Sequence, residues 1–163
     1  MFKEQQHTIF SLADTVGRKL LETGNQLSTA ESCTGGGIGY ALTHIPGSSR
    51  WYLGGINAYS NQVKQTQLRV DERLIATEGA VSEMVAEQMA VGVARLIGAE
   101  VALSTSGIAG PDGGTPDKPV GTICFGWSIA GSSFAETRLF SGDREHIRLQ
   151  SIEHSLKILL ERL

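Results

Sequence analysis

The order of periodic segments is the feature that most restricts the fold of this 163-residue chain. Short β-compatible runs alternate with segments of helical periodicity, and the clearest helix is predicted between Ser82, a good N-cap, and Gly98, a good C-terminal stop. Strands that alternate with helices predict a largely parallel sheet with helices on both faces. Two runs at 120–129 and 134–140 predict a hairpin that adds an antiparallel strand. The sequence therefore predicts an α/β fold with a mixed, mostly parallel sheet.

The remaining elements follow from local periodicity and from residues that favour helix ends. Helices are predicted for 9–21, 38–45, 62–68, 71–79 and 143–163, and strands for 27–30, 51–59 and 101–106. No repeat, linker or low-complexity stretch divides the chain, so residues 1–163 are expected to form one domain.

Composition restricts the class of protein. Hydrophobic residues make up 40% of the chain, which supports a core without disulfides or metal, and Cys33 and Cys124 match no disulfide framework or zinc spacing. The formal net charge of -3 argues against a nucleic-acid partner, which needs clustered Lys and Arg. Nowhere do 18 successive residues stay apolar, and no signal peptide is recognisable. We therefore expect a cytoplasmic location and no association with a membrane.

Candidate chemistry lies in three segments that follow predicted strands, because ligands of open α/β sheets bind beyond the carboxyl ends of the strands. The first segment, 29–37, places two nucleophiles, Ser32 and Cys33, before a run of glycines. Free amides at such a turn would hold an anion or a developing oxyanion. A Ser32 that caps the next helix and a Cys33 that packs in the core explain the same residues, so this segment alone leaves both interpretations open.

The second segment, 59–64, contains Tyr59 and Lys64. A strand ending at Tyr59 and a helix containing Lys64 would place a phenol and an amine at the same rim. A lysine acts as a general base only where burial lowers its pKa toward neutrality. An exposed lysine beside a half-buried tyrosine fits the spacing as well.

The third segment, 106–115, combines hydroxyl residues with glycines that would let main-chain amides approach a ligand. It is neither a Walker A loop nor a G-x-G-x-x-G loop, so no nucleotide motif is present. Arg144 and Arg148 lie one turn apart at the start of the last helix and would clamp a phosphate there. A capping Ser141 and two solvated arginines are the alternative.

These segments together resemble the CinA C-terminal domain family. The matching motifs are Thr29-Ala30-Glu31-Ser32-Cys33-Thr34-Gly35-Gly36, Tyr59-Ser60-Asn61-Gln62-Val63-Lys64 and Ser106-Gly107-Ile108-Ala109-Gly110-Pro111-Asp112-Gly113-Gly114-Thr115. Shorter matches are Gly79-Ala80-Val81-Ser82, Lys118-Pro119-Val120-Gly121-Thr122 and Phe140-Ser141-Gly142-Asp143-Arg144. The similarity covers about residues 8–162 in the family's order, and the chain lacks the additional N-terminal domain of longer members, so it resembles the stand-alone form.

The resemblance implies a three-layer α/β/α fold and hydrolysis of the carboxamide of nicotinamide mononucleotide to nicotinate mononucleotide and ammonia. It implies that Ser32 is the nucleophile, Lys64 the base and Tyr59 an assisting residue. It also implies a homodimer. The mechanism needs no metal or cofactor.

Amide hydrolysis requires donors for the oxyanion, and the substrate's phosphate requires cationic or amide donors. We expect the oxyanion donors near Cys33, Thr34 and Gly35 or around Ser106 and Gly107, and the phosphate donors at Thr115, Arg144 and Arg148.

Two alternatives remain open on the sequence. One is a non-catalytic nucleotide-binding or regulatory module, which would bind the mononucleotide without turnover. The other is an enzyme in which Cys33 is the nucleophile, which thiol alkylation would inhibit strongly.

Overall fold

A five-stranded sheet with helices on both faces forms the centre of the computed structural model, which describes residues 2–163. The strands are β1 (Leu27–Glu31), β2 (Tyr52–Asn57), β3 (Val101–Gly107), β4 (Thr122–Ile129) and β5 (Ser132–Leu139). The helices are α1 (Phe2–Thr23), α2 (Gly37–Thr43), α3 (Asn61–Leu68), α4 (Glu72–Glu78), α5 (Glu83–Ile97) and α6 (Arg144–Arg162), and a 3₁₀ turn at Ser48–Arg50 precedes β2.

The sheet has the strand order β2-β1-β3-β4-β5 and is mixed, as predicted. β1 pairs in parallel with β2 and β3, whereas β4 is antiparallel to both β3 and β5. The predicted hairpin of β4 and β5 turns at Ala130 and Gly131, which both have positive φ, as a two-residue type I′ turn requires. This tight turn lets β5 begin at Ser132, two residues earlier than predicted.

The two faces of the sheet carry side chains of different size. Large apolar residues such as Leu103, Phe125 and Trp127 belong to a core cluster with residues of α1, α2 and α6. On the opposite face small residues let α5 lie close to the strands, and a Cβ built on Gly126 would come 2.3 Å from Ala86 O. The helices therefore form the outer layers of a three-layer α/β/α fold. Within residues 2–163 none of the helices is long and apolar enough to cross a membrane.

Side-chain caps explain where several helices begin. Ser82 caps α5 by accepting a hydrogen bond from Val85 N at 3.3 Å, and Gly98 ends that helix in the left-handed region, as predicted. The alternative of a capping Ser141 is wrong for α6, because the Asp143 carboxylate accepts the first-turn amide instead.

The register of the parallel strands brings the three candidate segments to one edge of the sheet. Glu31, the last residue of β1, is paired with Asn57 at the end of β2 and with Thr105 near the end of β3. The turns that follow these strands therefore lie beside one another at the carboxyl edge, where ligands of such sheets bind.

The close approach of α5 to β4 gives a test of the packing. Gly126→Ala should lower the free energy of unfolding by about 1–3 kcal/mol, because the new methyl group collides with the main chain of α5. Urea unfolding measures the change, and Ser132→Ala at an exposed position of the same hairpin is the control. A Gly126→Ala protein as stable as the wild type would contradict this packing.

Candidate active site

Ser32 lies in the turn between β1 and α2, one residue beyond the end of the strand. It is 8% exposed, and its main-chain N–H donates to Thr105 O on β3 at 3.0 Å, which continues the pairing of the two strands past β1. α2 begins at Gly37 and is preceded by Gly36, with no side-chain cap. The interpretation of Ser32 as a helix cap is therefore wrong, and its hydroxyl is free for another role.

Lys64 projects from the first turns of α3 and is buried, with 1% of its surface exposed. Its Nζ lies 3.1 Å from Ser32 Oγ and donates to Ala58 O at 2.8 Å and to Tyr59 O at 3.2 Å. Ser60 caps α3 by accepting from Val63 N at 3.2 Å and so fixes the helix from which the lysine extends. The interpretation of Lys64 as an exposed surface lysine is wrong.

Burial lowers the pKa of Lys64 from its ordinary value, and a weaker Coulombic interaction with Cys33 acts in the opposite direction. A neutral amine has two N–H groups and one lone pair. The carbonyls of Ala58 and Tyr59 are placed to accept both hydrogens, which leaves the lone pair for the hydroxyl of Ser32. This geometry suits an amine that removes a proton from serine.

Cys33 is buried beside this pair, and its environment opposes the thiolate. Desolvation raises the pKa of the Cys33 thiol to about 12, with a further rise from the negative charge of Glu31. Because the thiolate is the nucleophilic form, the thiol is a poor nucleophile at neutral pH. The chemistry of the site therefore favours Ser32 over Cys33 as the attacking group.

Glu31 holds the turn that carries Ser32, a role that the sequence motifs did not indicate. It is 2% exposed, and its carboxylate accepts hydrogen bonds from the main-chain amides of Gly36, Ile38 and Gly39 at 2.8–3.1 Å and from Thr34 Oγ1 at 2.7 Å. The start of α2, where an anionic ligand would otherwise bind, is thus occupied by the protein's own carboxylate. An acidic residue at the end of a buried strand, just before a glycine-rich turn, was the available signal.

The third segment forms another wall of the site. Ser106 at the end of β3 is buried, and its hydroxyl donates to Ala80 O at 2.7 Å. Gly107 follows, and a Cβ built on it would come 2.3 Å from the Ile123 side chain, so close packing with β4 requires glycine there.

A hollow of about 200 Å³ brings the three segments together. Of the predicted residues it is lined by Ser32, Cys33, Tyr59, Lys64, Ser106, Gly107 and Arg144. Tyr59 is 66% exposed, and its main-chain carbonyl accepts the hydrogen bond from Lys64. Arg144 donates from one guanidinium nitrogen to Gly110 O at 2.7 Å.

Four of the predicted substrate-binding residues do not line this hollow. Thr34 directs its hydroxyl to Glu31 and Thr105, and the Gly35 amide donates to Ser32 O. Thr115 Oγ1 accepts from the Lys118 amide. Arg148 donates to two main-chain carbonyls of the Ser32 turn.

The family model described as the CinA C-terminal domain matches residues 9–163, which confirms the resemblance seen in the motifs. The nicotinamide-nucleotide amidohydrolase PncC of Pseudomonas putida is 47% identical over 94% of this chain and 96% of its own length. PncC of Escherichia coli is 43% identical over 93% of this chain and 92% of its own length. The CinA-like protein of Desulfotalea psychrophila is 50% identical over 91% of this chain, which spans only 36% of that longer protein.

Solved structures agree with the fold. The competence damage-inducible protein A of Klebsiella pneumoniae superposes with a TM-score of 0.92 at 34% identity and covers 94% of this chain and 96% of its own. The competence/damage inducible protein CihA of Agrobacterium tumefaciens gives a TM-score of 0.91 at 37% identity, with 94% of each chain covered. Both likenesses extend over nearly the whole α/β domain.

The lowered pKa of Lys64 predicts a pH-dependent penalty on stability. Between the lowered pKa and the ordinary lysine pKa of 10.5 the unfolded chain binds more protons at this residue than the folded chain. The loss of stability is therefore complete below the lowered pKa and disappears as the pH rises toward 10.5. Lys64→Met removes it, so the variant's free energy of unfolding minus that of the wild type should fall as the pH rises through this window. Urea unfolding at a series of pH values measures this difference.

The matched control is Lys157→Met, which removes an exposed lysine from α6 and should leave the pH dependence of unfolding unchanged. A difference for Lys64→Met that stays flat or grows with pH would contradict a lowered pKa.

Proposed function

The chain belongs to the CinA C-terminal domain family, and we propose that it hydrolyses the carboxamide of nicotinamide mononucleotide to nicotinate mononucleotide and ammonia. The observation that carries the proposal is the hydroxyl of Ser32 at 3.1 Å from the buried amine of Lys64, inside a hollow at the carboxyl edge of the sheet. The choice of substrate is supported by the two PncC relatives, which this chain matches over more than nine-tenths of their length. Such a reaction would serve pyridine nucleotide recycling.

The first half of the reaction forms an ester on Ser32. Neutral Lys64 accepts the hydroxyl proton while Ser32 Oγ attacks the carboxamide carbon, and a tetrahedral intermediate results. The protonated Lys64 then gives its proton to the departing nitrogen, so that ammonia leaves and the acyl group stays on Ser32. Because Lys64 accepts one proton and donates one, no histidine or carboxylate partner is required.

The second half returns the enzyme to its starting state. A water molecule gives a proton to Lys64 and attacks the ester carbon, and Ser32 Oγ recovers a proton from Lys64 as it leaves. The product is nicotinate mononucleotide. The carbonyls of Ala58 and Tyr59 hold Nζ in place through both halves.

The intermediate's oxyanion needs preorganised donors, each worth about 3–4 kcal/mol to the transition state. The Gly35 amide already donates to Ser32 O and the Ser106 hydroxyl to Ala80 O. We therefore assign the oxyanion to the main-chain amide of Cys33, which directly follows the nucleophile and lines the hollow.

The size of the hollow supports an orientation for the substrate. About 200 Å³ is less than the space that most ligand sites enclose, so the pyridine carboxamide enters and the ribose phosphate lies toward solvent. Arg144 and Tyr59 line the hollow as well. In this proposal Arg144 binds the phosphate, and the Tyr59 ring contacts the substrate while its carbonyl holds Lys64.

Replacement of the nucleophile should abolish turnover without loss of the fold. Ser32→Ala should release no ammonia from nicotinamide mononucleotide above the uncatalysed rate, since it removes the hydroxyl that Lys64 contacts. Cys33→Ala is the matched variant one residue away and should keep measurable turnover, because its thiol is not activated. An inactive Cys33→Ala with an active Ser32→Ala would identify Cys33 as the nucleophile instead. A wild-type protein that binds the nucleotide without releasing ammonia would be a binding module and not an amidohydrolase.

Removal of the Arg144 charge should weaken recognition of the phosphate. Arg144→Met should raise KM for nicotinamide mononucleotide about 10-fold or more, the equivalent of ~1.5 kcal/mol, while KM for nicotinamide riboside, which lacks the phosphate, changes little. Arg138→Met, at an exposed arginine of β5, is the control. Equal effects on both substrates would assign Arg144 a role other than phosphate binding.

A further inference from the structure

The turn that carries Ser32 is held from two sides by charged side chains that do not line the substrate hollow. Glu31 accepts the amides on the α2 side of the turn, at Gly36, Ile38 and Gly39. Arg148, from the second turn of α6, binds the turn through its carbonyls. These contacts join the nucleophile turn to an element more than one hundred residues away in the chain.

The Arg148 contact has two branches in one rigid plane. Nε donates to Cys33 O at 3.1 Å and Nη2 donates to Thr34 O at 2.8 Å. A Cβ built on Gly35 would come 3.4 Å from Nη2, which is van der Waals contact, so the guanidinium packs directly against this residue. A planar guanidinium donates to two such acceptors from one rigid plane, whereas an ammonium group is a compact point charge with no such plane.

The two carbonyls control where neighbouring amides point. In a trans peptide the C=O of one residue and the N–H of the next point in opposite directions. Because Arg148 Nε donates to Cys33 O, the Thr34 N–H of the same peptide points away from Arg148. The bond from Nη2 to Thr34 O orients the Gly35 N–H in the same way. The Gly35 amide then donates to Ser32 O at 3.1 Å, so the successive peptide planes after the nucleophile are all fixed.

From this geometry we infer that Arg148 is a positioning residue, which orients the Ser32 turn for amide hydrolysis without contacting the substrate. The inference rests on the proposed function for its kinetic consequences. The bonds within the turn stand independently of it, because they involve only the protein's own atoms.

The test uses the full chain with Arg148→Ala, Arg148→Lys and, as a matched control on the same helix, Lys157→Ala. Arg148→Ala should lower kcat for nicotinamide mononucleotide about 100-fold, the scale expected for a misplaced reacting group, with KM within about 3-fold of the wild type. The kcat of Arg148→Lys should lie between those of the wild type and Arg148→Ala, because an ammonium group replaces only one of the two hydrogen bonds. Lys157→Ala should match the wild type.

Chemical rescue separates positioning from general damage to the fold. Arg148 also lines a second hollow of about 180 Å³ beside α1 and α2, which gives an added guanidinium a route to the vacated place. Ethylguanidinium should therefore restore part of the kcat of Arg148→Ala and leave Lys157→Ala unchanged. A kcat for Arg148→Ala equal to that of the wild type would overturn the inference. A large rise in KM that ethylguanidinium does not reverse would also overturn it and would favour a role in substrate binding.

Thiol reactivity provides a readout that does not need turnover. Cys33 follows Ser32 directly and is buried, so iodoacetamide should modify it slowly in the wild type. In Arg148→Ala the rate at Cys33 should rise about 10-fold or more as the turn loosens, while Cys124 in β4 keeps its rate. An unchanged rate at Cys33 would contradict the inference even if the wild type proved inactive on the nucleotide, so the two proposals fail separately.

Discussion

A buried primary amine between two main-chain carbonyls is the interaction on which the site depends. Lys64 is removed from water, which favours its neutral form, and the carbonyls of Ala58 and Tyr59 orient that form toward Ser32. The cost of burying the amine is a loss of stability that folding must recover elsewhere. Active sites commonly carry such a cost, because a reactive group in its reactive state is a destabilised one.

Charged groups inside the protein determine where a ligand's charge can bind. The Glu31 carboxylate already satisfies three amides at the start of α2, so this helix end is closed to a phosphate. Arg148 is likewise engaged with two carbonyls and lies outside the hollow, whereas Arg144 lines the hollow and donates to Gly110 O from one guanidinium nitrogen. A substrate with an anionic end would therefore place that end near α6 rather than over the glycine-rich turn.

The sheet serves the site through the unequal size of its two faces. Large side chains such as Phe125 and Trp127 fill the layer under α1 and α6, while Gly126 lets α5 approach the other face closely. The parallel pairing of β1 with β2 and β3 aligns their carboxyl ends. Three segments that are distant in the chain thereby lie side by side at one edge of the sheet.

The sequence by itself determined the order of strands and helices, because periodicity and caps such as Ser82 are local properties of the chain. Its motifs also indicated the family and the segments where chemistry lies. Spacing did not decide whether Ser32 was a cap or Lys64 an exposed lysine, since burial depends on contacts between distant segments. Only the tertiary structure determined that Glu31 and Arg148 form hydrogen bonds with the main chain of the Ser32 turn. A charged residue near a helix end looks the same in sequence whether it faces a ligand, water or a peptide group.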